Sequence, residues 1–113
     1  MDCLFCKIIQ NEIPAKIIYR DDWVIAFNDI NPQAPYHILI VPQKHLATLN
    51  EIQTEDNELI GHIMQTAKML AKEFNIAKDG YRVIINCNAG AGQTVFHLHF
   101  HLLGGRQFNW PPG

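Results

Sequence analysis

No stretch of this 113-residue chain approaches the roughly 20 consecutive apolar residues that cross a bilayer as a helix. Its longest apolar run is only Trp23-Val24-Ile25-Ala26-Phe27, which argues against a membrane protein. Basic charge is neither clustered nor in excess. Nine Lys and Arg stand against eleven Asp and Glu, a net charge of −2, and this disfavours binding to nucleic-acid polymers. Residues 1–7 lack the basic stretch and long apolar core of an export signal, so a cytoplasmic location is expected. Cysteine is scarce as well: an odd count of three, in a reducing compartment, does not make a disulfide framework. Repeats, low-complexity tracts and linkers are missing. With 48% hydrophobic and 18% charged residues, the chain reads as one soluble domain over residues 1–113.

Within that domain the apolar residues change period along the chain. Residues 3–10 suit a short helix, stopped before Ile13-Pro14 because a residue preceding proline avoids the helical region. Residues 16–19 and 23–27 are β-rich and separated by Arg20-Asp21-Asp22, as in a hairpin. A proline-rich loop then leads to a third strand over residues 36–41, apolar on both faces and hence central. From residue 54 to 74, Leu59, Ile60, Ile63, Met64, Ala67, Leu70, Ala71 and Phe74 step by three and four, marking one long helix. Thr54 is its expected cap, and His62 is expected to be exposed and inert. Asp79-Gly80 turns into a fourth strand over residues 81–86, and a fifth is expected over residues 94–103. Five strands with one long helix between two hairpin-like sets make an α+β domain on an antiparallel sheet.

The segment Val95-Phe96-His97-Leu98-His99-Phe100-His101-Leu102-Leu103 carries the chemistry. On a strand, side chains alternate, so His97, His99 and His101 share one face while Phe96, Leu98, Phe100 and Leu102 share the other. With 6 histidines in 113 residues, chance placement at three chosen positions occurs about once in 10⁴ trials. A merely solvated face would use Thr, Lys or Glu. A row of imidazoles suits two chemistries. It can ligate a catalytic metal, or it can bind a phosphate, one ring attacking phosphorus while its neighbours donate hydrogen bonds. The preceding Gly90-Ala91-Gly92-Gln93-Thr94 favours phosphate, since glycine lets backbone approach a ligand and Gln93 and Thr94 are neutral donors. No Gly-Lys-Ser/Thr follows, so this is not a nucleotide-binding P-loop.

His97-Leu98-His99-Phe100-His101-Leu102-Leu103 resembles the histidine-triad motif, His-φ-His-φ-His-φ-φ with φ hydrophobic. Ile13-Pro14-Ala15-Lys16, residues 29–35, Leu103-Gly104-Gly105-Arg106 and Trp110-Pro111-Pro112-Gly113 extend the likeness over essentially the whole chain, toward the Hint branch of nucleoside phosphoramidases. The resemblance implies the histidine-triad fold, with one long and one short helix and sheets joined in a homodimer. It also implies that each subunit binds a purine nucleoside monophosphate. The implied reaction cleaves the P–N bond of purine nucleoside 5′-phosphoramidates through a nucleotidyl-histidine, with no catalytic metal.

By position, the resemblance makes His99 the nucleophile and His101 a phosphate contact, with His97 and His37 completing the active-site histidines. The leaving amine needs an acid, which either His101 or His37 can supply. Asp29 matches the carboxylate that holds the ribose hydroxyls, with Ile30 beside the base. Asn86, Gly92, Gln93 and Thr94 match phosphate and leaving-group contacts. Read without the resemblance, Asp29 is a turn former, His37 a satisfied structural histidine, and Asn86 and Thr94 strand-end residues. Cys3-x-x-Cys6 alone can be a redox dithiol, half a metal site or two packed thiols, and the lack of a βαβ pattern disfavours redox catalysis. The resemblance adds that some members hold structural zinc with two such cysteines and the histidines matching His45 and His97, and two sulfurs with two nitrogens suit tetrahedral zinc. Two rival readings stand beside these: a metal-dependent hydrolase ligated by the triad, and a non-catalytic purine nucleotide-binding module.

Overall fold

β-Branched and aromatic runs become strands close to where their pattern places them: β1 (Ile17–Arg20), β2 (Val24–Asn28), β3 (Tyr36–Pro42), β4 (Tyr81–Ile84) and β5 (Phe100–Gly104). The computed structural model describes residues 2–113. The strands form one antiparallel sheet in the order β1-β2-β3-β5-β4. β2 and β3 are buried on both faces, consistent with their unbroken apolar composition. Two helices complete the domain, α1 (Leu4–Ile9) and α2 (Asn57–Glu73).

The two faces of the sheet have different fates. On one, Val24, Ala26, Ile38, Ile40, Phe100 and Leu102 pack under Ile63, Ala67, Leu70 and Ala71 of α2, forming the main core. On the other, Ile25, Phe27, Leu39 and Val41 meet Phe5 and Ile8 of α1. α1 is only 6 residues long and covers part of this face. The uncovered remainder of that face carries the histidines.

Four expectations change. The ordered helix from residue 54 is a 3-10 turn over Thr54–Asp56 followed by α2, and the cap comes from Gln53 and Asp56, not Thr54. The Gln53 N–H donates to Asp56 Oδ2 at 2.9 Å, a bond that fixes the turn before the helix proper begins. The fourth strand stops at Ile84, and the fifth begins at Phe100 instead of residue 94. Beyond Ile40↔Phe100 the ladder gives way, because the Leu98 N–H donates to the Leu46 carbonyl at 2.6 Å and the Pro42 carbonyl is taken by a side chain. Leu98, Phe100 and Leu102 still reach the α2 core, but Phe96 lies at the surface. His62 is not inert: its Nε2 lies 2.6 Å from Asp21 Oδ2 and its ring packs against Trp23, tying α2 to the β1–β2 hairpin.

Candidate active site

Beside the open part of the sheet lies a cavity of about 540 Å³. Leu4, Phe5 and Ile8 of α1 line it together with Asp29, Ile30, His99 and His101. Both histidines enter it by alternation along the chain, though only His101 belongs to the ladder, opposite Leu39 and Ile84.

The hydrogen-bond partners decide which ring nitrogen of each histidine carries the proton. His99 Nδ1 lies 2.7 Å from the His97 carbonyl oxygen, which only accepts. Nδ1 therefore bears hydrogen, and in the neutral ring Nε2 keeps its lone pair. His37 Nδ1 accepts the Gln33 N–H at 3.0 Å, so its proton sits on Nε2 and is donated to His101 Nδ1 at 2.9 Å. His101 is left with hydrogen on Nε2. The rings of His99 and His101 stand 5.0 Å apart, one carrying a lone pair and its neighbour a donor. Burial, reinforced by His99 and His37 nearby, pushes His101 down to about 4, and burial also lowers His37 against the pull of Asp29. Both rings are neutral near pH 7, as the hydrogen-bond chain requires. Such an arrangement serves nucleophilic attack on an electrophilic centre with a proton donor alongside.

His97 faces elsewhere. Its Nε2–H donates to the Pro42 carbonyl at 2.8 Å, leaving Nδ1 as an acceptor 3.4 Å from Cys3 Sγ, 3.5 Å from Cys6 Sγ and 3.0 Å from His45 Nδ1. Cys6 Sγ lies 3.4 Å from His45 Nδ1, and one ligand atom from each of the four residues falls within 4.8 Å of the others. The edges of a zinc tetrahedron with bonds of ~2.0–2.3 Å are roughly 3.3–3.8 Å, close to the four separations of 3.0–3.5 Å here, so two sulfurs and two nitrogens suit that ion. Burial and the Cys3 thiol push Cys6 up to about 11, and burial pushes His97 down to about 4. A cation would reverse the first of these, since it binds thiolate.

A second group, Asp29, His37 and His101, also gathers its donor atoms. Its internal geometry is that of a relay: with Nδ1 receiving the Gln33 N–H, His37 must keep its proton on Nε2, which cannot then ligate an ion. The triad as a whole does not converge on one metal either, because both ring nitrogens of His97 are engaged away from the cavity.

The remaining expected site residues divide. Asp29, Ile30 and Thr94 line the cavity. Asp29 also behaves as a turn former, since its Oδ1 accepts the Asn31 N–H at 2.8 Å while Oδ2 sits 3.4 Å from His37 Nε2. Asn86 lines a neighbouring cavity of about 250 Å³, which shares His101 with the first. Gly92 is exposed with φ +91, a left-handed conformation suited to glycine, and closes the turn before Gln93. Gln93 departs from its expected role. Its side chain is buried, donating to the Ala47 and Val95 carbonyls and accepting the Asn88 N–H, so its amide braces the loop instead of facing a ligand. Sequence reasoning missed Phe5, whose ring stands edge-on to His99 at 5.1 Å. Its signal was its place between the two cysteines.

A family model described as the HIT domain matches residues 10–108. The chain belongs to the histidine-triad (HIT) family. The resemblance carried by residues 97–103 thus holds across the fold, and the matched span leaves Cys3 and Cys6 outside it. A HIT family hydrolase from Legionella pneumophila superposes with a TM-score of 0.98 at 53% identity, covering 99% of this chain and all of that one. The Escherichia coli purine nucleoside phosphoramidase is 49% identical over 105 residues, 93% of this chain and 88% of that protein. A 14 kDa zinc-binding protein of Zea mays is 49% identical over 112 residues, 97% of this chain and 87% of its own.

Proposed function

We propose that the protein is a hydrolase of purine nucleoside 5′-phosphoramidates, releasing the nucleoside monophosphate and an amine. The observation that carries this reading is the pinned tautomer of His99, whose Nδ1–H is held by the His97 carbonyl at 2.7 Å so that a lone pair on Nε2 serves the cavity. The 49% identity to the Escherichia coli phosphoramidase supports it. In the proposed sequence Nε2 attacks phosphorus, the P–N bond breaks, and the amine leaves with a proton. Water then cleaves the P–N(His99) bond, returning the imidazole and giving the monophosphate. The His101 Nε2–H contacts the phosphate oxygens. The negative charge of bound substrate raises the proton affinity of a neighbouring imidazole, so His101, neutral in the free protein, becomes the acid for the leaving nitrogen, with His37 behind it. Asp29 holds the ribose hydroxyls beside Ile30, and the apolar wall of Phe5 and Ile8 takes the base.

The same reading assigns a structural zinc to Cys3, Cys6, His45 and His97, supported by the ligand spacing and by the Zea mays zinc-binding relative. When bound, the ion supplies a cross-link and no step of the reaction. Thiol ligands of this kind belong in a reducing compartment, in keeping with a cytoplasmic protein, and we carry the homodimer as part of the proposal.

Intact-mass analysis during turnover of an adenosine phosphoramidate tests the reading. A transient species heavier by one nucleotidyl group is expected in the wild type and not in His99→Ala. His99→Ala should bind AMP and lose turnover. Near wild-type kcat in His99→Ala would sink the assignment, and AMP binding with no adduct and no turnover in the wild type would favour a binding module.

A further inference from the structure

The cysteine–histidine cluster and the cavity are joined by two routes. The first is the backbone of His97. Its ring is fixed at both nitrogens, by the Pro42 carbonyl at 2.8 Å and by the sulfurs at 3.4 and 3.5 Å, and its own carbonyl holds His99 Nδ1 at 2.7 Å. A backbone shift at His97 that follows loss of its thiol partners moves the acceptor that sets the His99 tautomer. The second route is α1. Leu4 and Phe5 lie between Cys3 and Cys6 and line the cavity, and the Phe5 ring meets His99 edge-on at 87° and His97 at a centroid distance of 6.0 Å. A helix of 6 residues does not persist on its own backbone bonds, so its place against His99 depends on what fastens it.

We infer that a metal ion held by Cys3, Cys6, His45 and His97 sets the orientation of His99, which makes His97 and Phe5 positioning residues of the reaction as well as parts of an N-terminal anchor. This rests on the proposed role of His99 as nucleophile. An anchor alone would protect stability and leave the chemical step unchanged. A positioning device alters the ring itself.

The test uses the full chain, purified without chelator, compared as loaded with zinc alone and as stripped by chelator, at a temperature where circular dichroism shows both to be folded. Three quantities are read at one fixed pH: the ¹⁵N shifts of the His99 ring, the single-turnover rate of adduct formation from a saturating adenosine phosphoramidate, and the Kd for AMP. Loaded protein should show a single Nδ1–H tautomer of His99. Stripping should give a mixture and slow adduct formation by roughly 10- to 100-fold, the usual cost of losing an orienting partner, with a smaller change in Kd. Phe5→Leu should bring part of the same tautomer mixing while zinc content is retained. The inference falls if stripping lowers only the melting temperature and leaves the His99 spectrum and adduct rate unchanged, or if the protein takes up no zinc. Should the His99 spectrum respond to zinc while no adduct forms in either state, positioning stands and the phosphoramidase reading fails.

Discussion

Neutral rings in a directed chain, Gln33 N–H to His37 to His101, give His101 its donor, and this makes two residue-scale predictions. His37→Ala removes the bond that fixes the His101 tautomer, so kcat should fall roughly 10- to 100-fold with AMP affinity less affected. Unchanged kcat would remove His37 from the relay. Because burial and neighbouring histidines push His101 down to about 4, its imidazole should stay neutral as pH falls past 6.5 and gain its proton only near pH 4. An NMR titration of the His101 ring in free protein checks this, and a midpoint near 6.5 would contradict it. Asp29 lines the cavity, and hydrogen bonds from ribose to a carboxylate are worth ~1.5–3 kcal/mol, so Asp29→Ala should weaken AMP binding roughly 10- to 150-fold by calorimetry. Wild-type affinity in that variant would show that the loop does not hold ribose. At this scale the sequence was most legible where pattern is local. The row of His97, His99 and His101 was visible in the pattern, whereas their division into one cluster residue and two cavity residues came only through the family resemblance, because it depends on the Pro42 carbonyl and the cysteine thiols, both far away in sequence. Gln93 was misread for a similar reason: its partners Asn88 and Ala47 come from two different segments.

Elements were readable in kind and less so in extent. Period and composition located every strand and both helices, since core-facing residues must alternate or step by three and four. Where the ends differed, tertiary hydrogen bonds had intervened, as when the Leu98 N–H turns to Leu46 and delays β5 to Phe100. His62 looked idle on α2 because its partner, Asp21, lies 41 residues earlier. That contact carries its own prediction. Burial works against the Asp21 charge, yet hydrogen bonds from Tyr19, His62 and the Trp23 and Val24 amides hold its carboxyl down to about 2. A folded-state value below the unfolded one of ~3.9 contributes stability above pH 4, lost as pH falls from about 4 toward 2. Both partners are about a quarter to a third exposed, which screens the pair, so His62→Ala should cost about 0.5–1.5 kcal/mol in urea unfolding at pH 7. The loss should shrink at pH 2.5, and a loss independent of pH would mean that packing on Trp23 is the whole effect.

At the scale of the whole molecule, the sheet has two edges, and they are not alike. β1 is irregular, with its register against β2 shifting between Ile17 and Tyr19, a feature that discourages pairing with another chain. β4 pairs regularly from Tyr81 to Ile84 and, among the described residues, borders no further strand. A regular edge of unpaired N–H and C=O groups is a template for another strand, so the proposed homodimer should form by joining β4 to its copy. In an antiparallel strand successive residues turn their N–H groups to opposite sides, so one of Arg82 and Val83 donates inward to β5 and the other outward. Replacing each by proline, which has no N–H, separates fold from assembly. The variant that loses the outward donor should remain folded and sediment as a monomer. The variant that loses the inward donor should be destabilised instead. Sedimentation equilibrium of the wild type should give twice the chain mass at micromolar concentration. A single-chain mass for the wild type, or a dimer retained in both proline variants, would place the assembly elsewhere or remove it.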